Sequence, residues 1–449
     1  AWRTNTAPYT VYVGSNYLIK ANVNSSYLFS YIGYSSACDE ETVIEGLDIL
    51  DMNNVTNMSY MFNRCGYTAM TSLNLGNNFK TARVTNMSYM FNRCGYTAMT
   101  TLDLGNNFDT RSVTNVDSDG MYAMFNRCGY TAMTTLDLGN KFNTTNEGLT
   151  DMGYMFYYCG YTALENLNLS PDSNATEEEK ATMFNTKNIT NMKNMFGYCG
   201  YTAMTSIDFG NNFDTTSVID MSYMFYYFGY KSLESLDLRA DSDATEEQKT
   251  AMFNTRNVTN MSYMFSYCGH NSMESINFGD NFNTTSVKDM QHMFDYFARL
   301  SMTKLDLCPS ENATEEQKAT MFNTSNVTDM KYMFNYTGSS GMTEFCIGIN
   351  FDTSSVTNMQ RMFYGFGMSE LKSLDLGEKF DTSSVTSFNN MFAYTAYNMK
   401  RLDLGDKFYT AQATNMSSMF VSTGYAGMVE LDLGPAFTKI NSNFTKVDR

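Results

Sequence analysis

Short runs with leucine at alternate positions recur along the chain: Leu102-Asp103-Leu104, Leu136-Asp137-Leu138, Leu236-Asp237-Leu238, Leu374-Asp375-Leu376 and Leu402-Asp403-Leu404. A period of two predicts a short strand with leucine inward and aspartate outward. Each run is followed by Phe-x-Thr (Phe108/Thr110, Phe213/Thr215, Phe351/Thr353), which reads as a corner holding a buried aromatic. Next comes a segment such as Val84 to Phe91, VTNMSYMF, which predicts a brief strand and then one or two helical turns. Asn86, Asn191, Asn260 and Asn358, or Asp220, Asp289 and Asp329, stand where an N-cap would accept a backbone N–H. Gly95, Gly160, Gly200, Gly269 and Gly338 follow each segment's closing phenylalanine by four residues, at the left-handed position that ends a helix.

The closing Met-Phe sets a clock. Its phenylalanine falls at 62, 91, 125, 156, 196, 225, 265, 294, 334, 363, 392 and 420, in steps of 29, 34, 31, 40, 29, 40, 29, 40, 29, 29 and 28. Units of this size predict a solenoid. The expected fold is therefore an α/β repeat of about 12 coils with short parallel strands and short helical turns. The 40-residue steps add eleven residues between strand and corner, each containing a capping box: Thr176/Glu179, Thr245/Gln248 and Thr314/Gln317. Helices are expected at about 176–184, 245–253 and 314–322, in one outer row two coils apart. Stacked strands rise about 4.8 Å per coil and a helix is about 10 Å wide, so alternate coils are the densest spacing that avoids collision.

Composition narrows the function. Met (37), Phe (33) and Tyr (32) dominate, whereas His (2) and Trp (1) almost vanish. The net charge of −17 repels a phosphate backbone, which argues against nucleic acid. No apolar run approaches the ~18 residues of a membrane span. Walker, GxGxxG and GxSxG motifs are missing, and His270 and His292, in different coils, read as surface substitutions. No catalytic residue, metal ligand or cofactor is assigned.

Stacking turns each repeat position into a column. Cys65, Cys94, Cys128, Cys159, Cys199 and Cys268 share a column with Phe228, Phe297, Phe366 and three threonines, which marks a packing slot of free thiols rather than a metal set. The outward strand column includes Asp103, Asp137, Asp208, Asp237, Asp375, Asp403 and Asp432. It reads as a solvated acidic face bonded to its own Ser and Thr, with calcium at these aspartates as the alternative. Cys308 and Cys346 leave their columns in adjacent coils. One replaces the glycine after the strand and the other the outward aspartate. Their Cα atoms are expected about 8 Å apart, slightly beyond bridging reach, so a disulfide needs a modest strand-end shift. Among many Asn-x-Ser/Thr sequons, Asn174 and Asn312, ahead of the added helices, are the accessible glycosylation candidates.

Residues 1–46 depart from the repeat and contain β-prone runs, which predicts an N-terminal cap; 47–437 are the solenoid, and 438–449 are a tail or incomplete coil. The string Phe351-Asp-Thr-Ser-Ser-Val-Thr-Asn-Met359, then Met362-Phe363 and Leu371-Lys-Ser-Leu-Asp-Leu376, resembles the BspA-like leucine-rich repeat surface proteins of bacteria, mycoplasmas and some protists. The resemblance implies a leucine-rich-repeat-type solenoid at the cell surface, associated with adhesion and binding of host or matrix proteins. The expectation is a secreted, non-enzymatic scaffold, its signal peptide removed, that binds a protein or glycan of a host, matrix or neighbouring cell. A subunit polymerising head to tail into a filament is the second reading, and a secreted enzyme with a groove site the third.

Overall fold

A computed structural model describes residues 10–12, 19–35 and 41–438. The tail beyond Thr438 and most of the first eighteen residues lie outside the described residues. The chain forms two units, residues 1–217 with 240–252, and 218–239 with 253–449, and each is a repeat solenoid of short parallel strands.

In the first unit Ser72–Asn74, Thr101–Asp103 and Thr135–Asp137 pair in parallel with Leu73, Leu102 and Leu136 in register, and Asn166–Asn168 pairs with Ser206–Asp208. In the second, Ser235–Asp237 pairs with Ser275–Asn277, Lys304–Asp306 with Glu344–Cys346, and Arg401–Asp403 with Glu430–Asp432. Three residues suffice for each strand because its central side chain points into the core and its flanking polar ones point out. Leu374-Asp375-Leu376 keeps the same burial alternation without forming a strand.

The Met-Phe segment departs from the expectation. It contains no helical turn. In the run Met58 to Cys65, alternate N–H groups leave the coil, Met58, Tyr60, Phe62 and Arg64 donating to the carbonyls of Asn86, Ser88, Met90 and Asn92. The N–H groups between them turn back, Met61 to Met58, Asn63 to Tyr60 and Cys65 to Phe62. This alternation requires left-handed backbone at Tyr60 (φ 58°), Arg64 (φ 55°) and Gly66 (φ 55°), which a helix cannot contain. Asn86 caps no helix; its Oδ1 accepts the N–H of Ser88, 3.0 Å away, two residues on.

The core is a set of ladders. In the first unit Phe62, Phe91, Phe125, Phe156 and Phe196 stack with centroids 5.4–5.6 Å apart and planes within 3°. In the second, Phe225, Phe265, Phe294, Phe334, Phe363, Phe392 and Phe420 continue at 5.5–5.7 Å. Each buried ring contributes roughly 1.5–3 kcal/mol of transfer free energy. The corner threonines are also buried, and their hydroxyls donate to carbonyls of the next coil, as Thr110 to Asn143 (2.6 Å) and Thr353 to Asp381 (2.8 Å). These corner hydroxyls are thereby satisfied coil to coil.

The added segments form helices α1 (Glu177–Thr182), α2 (Glu246–Ala251) and α3 (Glu315–Thr320), each with a complete capping box and no buried residue. In the first unit Asn212, on the corner between α1 and α2, donates to the carbonyls of Lys180 and Met183 and accepts from Gln248. In the second, Gln317 of α3 donates to Asn281, and Asn350 donates to the carbonyls of Lys318 and Met321.

The N-terminal segment is more repeat-like than its sequence indicates. Thr10–Tyr12 and Ile19–Lys20 pair in parallel with Val43–Glu45 and Leu50–Asp51. Phe29 then takes the place of a Met-Phe phenylalanine, 5.2 Å from Phe62, and Tyr27 stacks on Tyr60. Residues 19–35 therefore follow the coil path inside the segment expected to be a separate cap.

Candidate functional site

The carboxylates of the acidic strand column have a local task. Oδ1 of each aspartate or asparagine accepts the N–H two residues on: Asp103 from Gly105, Asp137 from Gly139, Asp208 from Gly210, Asp237 from Arg239, Asp375 from Gly377, Asp403 from Gly405 and Asp432 from Gly434, at 2.8–3.0 Å. The partner is this backbone N–H rather than the preceding Ser or Thr, because an Asx turn is what ends the strand. Four of the seven have a further partner: Asn74 on Asp103 (2.7 Å), Arg239 on Asp237 (2.7 Å) and Arg401 near Asp403 and Asp432 (3.3 and 3.6 Å). Among the described residues, no three of the calcium candidates gather their carboxylates at one point.

The six column cysteines are fully buried. Burial pushes the thiols of Cys94, Cys128, Cys159, Cys199 and Cys268 well up, which leaves them as packing groups. Cys308 and Cys346 are joined by a disulfide with Cα atoms 6.2 Å apart. Asn174 and Asn312 are exposed beside α1 and α3. Asn335, another sequon, is buried and donates to Asp295 at 2.6 Å.

The histidines are not surface substitutions. His270 is buried, stacks on Tyr230 at 4.5 Å and bonds Asn271, and burial pushes its imidazole below its ordinary value. His292 lies between Tyr263 and Tyr332 at 4.3 and 4.5 Å, with Nδ1 2.7 Å from Asp295. Both occupy aromatic columns, His292 held by a tyrosine ring on each side and His270 by Tyr230.

Those columns form the surface that sequence reasoning passed over. In the first unit Tyr67, Tyr96, Tyr130, Tyr161 and Tyr201 make one file, centroids 4.6–4.7 Å apart and planes within 10°. Tyr27, Tyr60 and Tyr89 make a second at 4.7 Å. In the second unit Tyr227, Tyr267 and Tyr296 stack at 4.3 and 4.6 Å. These rings are half-buried, one side on the coil and one edge to solvent, apart from Tyr27, which is exposed. Guanidinium groups lie over the faces: Arg127 on Tyr158 (4.8 Å), Arg299 on Tyr336 (4.9 Å) and Arg361 on Tyr364 (4.8 Å). The signal was available, since tyrosine recurs two residues before, two after and five after the clock phenylalanine.

The second file is disturbed where the repeat step lengthens to 34 residues. Tyr89 and Tyr122 meet at 60°, and Tyr122 and Tyr154 at 50°. An open pocket of about 430 Å³ lies there, lined by Tyr89, Tyr122, Asp119 and Asp151 among others. Burial, neighbouring tyrosines and these two carboxylates push Tyr122 up to about 12.

A sequence profile described as "Mycoplasma protein of unknown function, DUF285" matches the chain over residues 34–168, 167–296, 231–340 and 303–427. No curated protein and no solved structure matches it. Among the described residues no helix is long and apolar enough to cross a membrane.

Proposed function

The chain belongs to this mycoplasma repeat family, and on that premise we propose a non-enzymatic interaction scaffold, presented outside the cell, whose tyrosine files bind a protein or glycan partner. The observation that carries the reading is the stacked, half-buried tyrosine surface interleaved with Arg127, Arg299 and Arg361. Tyrosine and arginine are the residues enriched at binding surfaces, because a large rigid ring already held in place loses little entropy on contact. Stacked rings also present their apolar edges and polar hydroxyls at a regular spacing, which suits a partner that alternates apolar and polar groups, as sugars do. The non-enzymatic part is supported by the engagement of both histidines with neighbouring rings and side chains, and by the burial of the six column thiols. The finer likeness, to BspA-like leucine-rich repeat adhesins, belongs to the same reading, as does secretion.

The test is binding of the full chain to host cells, extracellular-matrix proteins and a glycan array. A triple variant, Tyr67→Ser with Tyr96→Ser and Tyr130→Ser, should lose most of the binding while keeping its circular dichroism. Binding that survives this variant and the matching changes in Tyr227, Tyr267 and Tyr296 would place the interaction elsewhere.

A further inference from the structure

We propose that reduction of the Cys308–Cys346 disulfide opens a metal site, in which the two thiolates and the Asp306 carboxylate bind a borderline divalent cation of the zinc type. Among the described residues, these three form the group whose ligand atoms all lie within 4.8 Å of one another. The fold assembles them without a loop of its own. Asp306 and Cys346 stand opposite each other in the parallel register of Lys304–Asp306 and Glu344–Cys346. Cys308 follows two residues later, its N–H donating to Asp306 Oδ1 at 3.0 Å, so the strand-end Asx turn folds it back over the pair.

In other coils these two places hold no sulfur: the first is glycine, as Gly405, or Ser170 and Arg239 in the coils that carry α1 and α2, and the second is aspartate or asparagine, as Asp432. Two soft ligands and one hard one suit zinc, which takes thiolate sulfur at ~2.3 Å and carboxylate oxygen at ~2.0–2.2 Å in a tetrahedron, hence donors roughly 3.6–3.8 Å apart. Cα atoms at 6.2 Å allow that separation through side-chain rotation, the strands staying paired.

Access distinguishes this pair from the rest. Cys308, Cys346 and Asp306 are half-buried, whereas the six column thiols are fully buried. Asp306 and Cys308 line an open cleft of about 930 Å³ in the second unit, together with Asp237, Asp280 and Ser310. A reductant and an ion enter there, and a water fills the fourth position from the same side. Lys304, 3.0 Å from Asp306 Oδ2, is the cation that the metal displaces from that oxygen or shares it with.

The chemistry balances with a small thiol as reductant. Two R–SH molecules deliver two electrons and two protons, the Cys308–Cys346 bond breaks, and R–S–S–R leaves. Binding of M²⁺ then releases the two thiol protons to solvent, so affinity rises with pH.

The experiment uses the full chain, as isolated and after reduction, titrated with Co²⁺ as the probe. Reduced protein should develop sulfur-to-cobalt charge-transfer absorption saturating at one ion per chain, and Zn²⁺ should abolish it; the unreduced protein should stay silent. Cys308→Gly removes one thiolate without adding a side chain at a place where other coils carry Gly, Ser170 or Arg239, so it should fold normally and lose the band. Asp306→Asn keeps the Asx turn and should weaken binding by about tenfold or more, the size seen when even an outer partner of a metal ligand is removed. No band in the reduced wild type, or a band of equal strength in reduced Cys308→Gly, which retains Cys38 and all column thiols, overturns the proposal.

Discussion

The edge built from the Met-Phe turns and the edge built from the three-residue strands repeat their residues at the same spacing, yet they meet their neighbours in opposite ways. On the turn edge, copies of one residue improve each other's environment: Tyr96 is sandwiched by Tyr67 and Tyr130, and its file gains contact with every coil. On the strand edge, copies of one carboxylate would repel, so each is tied back to its own chain through the N–H two residues on, and at Asp103, Asp237, Asp403 and Asp432 an asparagine or arginine answers it as well. A ladder of like residues is thus a source of cohesion where the side chain is a ring and a load to be neutralised where it is an acid. The turn edge is the packed one and the strand edge the open one.

Two glycines test that contrast at the same backbone geometry. Gly95 (φ 53°) and Gly405 (φ 74°) both need left-handed backbone. A Cβ on Gly95 would overlap Met99 at its Cβ and Sδ, whereas a Cβ on Gly405 would meet nothing within 4 Å. Both alanine variants incur the left-handed penalty of about 1–2 kcal/mol. Gly95→Ala adds an overpacking cost of about 1–3 kcal/mol, giving the larger loss in urea denaturation. Equal losses at the two sites would remove the distinction between a packed and an open edge.

The second effect is alkaline. Burial and neighbouring rings push Tyr60, Tyr89, Tyr96 and Tyr130 above the ordinary tyrosine value, and Tyr122 up to about 12. An unfolded tyrosine gives up its proton near 10 and a ladder tyrosine later, so above pH 10 the folded state holds more protons than the unfolded one. Stability from the files is therefore complete below pH 10 and falls as pH rises toward 12. Tm measured from pH 8 to 12 should drop in that window, and the tyrosinate absorbance of the folded protein should rise late. Replacing Tyr60, Tyr96 and Tyr130 by phenylalanine should flatten the drop; an unchanged slope would separate the stacking from the titration.

How much of this was legible in the sequence depended on how local the signal is. The strand alternation, the Phe-x-Thr corner and the capping boxes at Thr176, Thr245 and Thr314 are each decided within a few residues, and they stand where they were read. The turn edge was misread as helical because VTNMSYMF carries an apparent N-cap and a terminal glycine. Its true partners, such as Phe62 N–H with the Met90 carbonyl, lie 28 residues away. Left-handed tyrosines at 60, 89 and 154 run against the usual preference for glycine or asparagine there, and the hydrogen bonds to the next coil hold them. The histidines were taken for surface exceptions because a column's neighbours are invisible until the coils are stacked. The Cα separation of Cys308 and Cys346 came out at 6.2 Å rather than about 8 Å, since the Asx turn at Asp306 bends Cys308 back instead of extending the strand.

The smallest effect concerns one carboxylate on the strand edge and separates its two roles. Asp403 Oδ1 accepts the Gly405 N–H at 2.9 Å, and Oδ2 lies 3.3 Å from Arg401. Asparagine keeps the acceptor and removes the charge; alanine removes both. The exposed ion pair is worth about 0–1 kcal/mol. The turn bond contributes about 0.5–1.5 kcal/mol, because the Gly405 N–H has no equivalent partner within its own coil once the acceptor is gone. Asp403→Asn should therefore sit within about 0.5 kcal/mol of the parent, as the natural Asn74, Asn168 and Asn277 at the same column position imply, and Asp403→Ala should lose about 1 kcal/mol. A chelator should leave the Tm of all three unchanged, because the oxygen is engaged by backbone. If asparagine costs as much as alanine, or if chelation lowers the Tm of the parent alone, the charge and an ion it holds matter more than the turn, and the strand edge is no longer a row of independently closed chain ends.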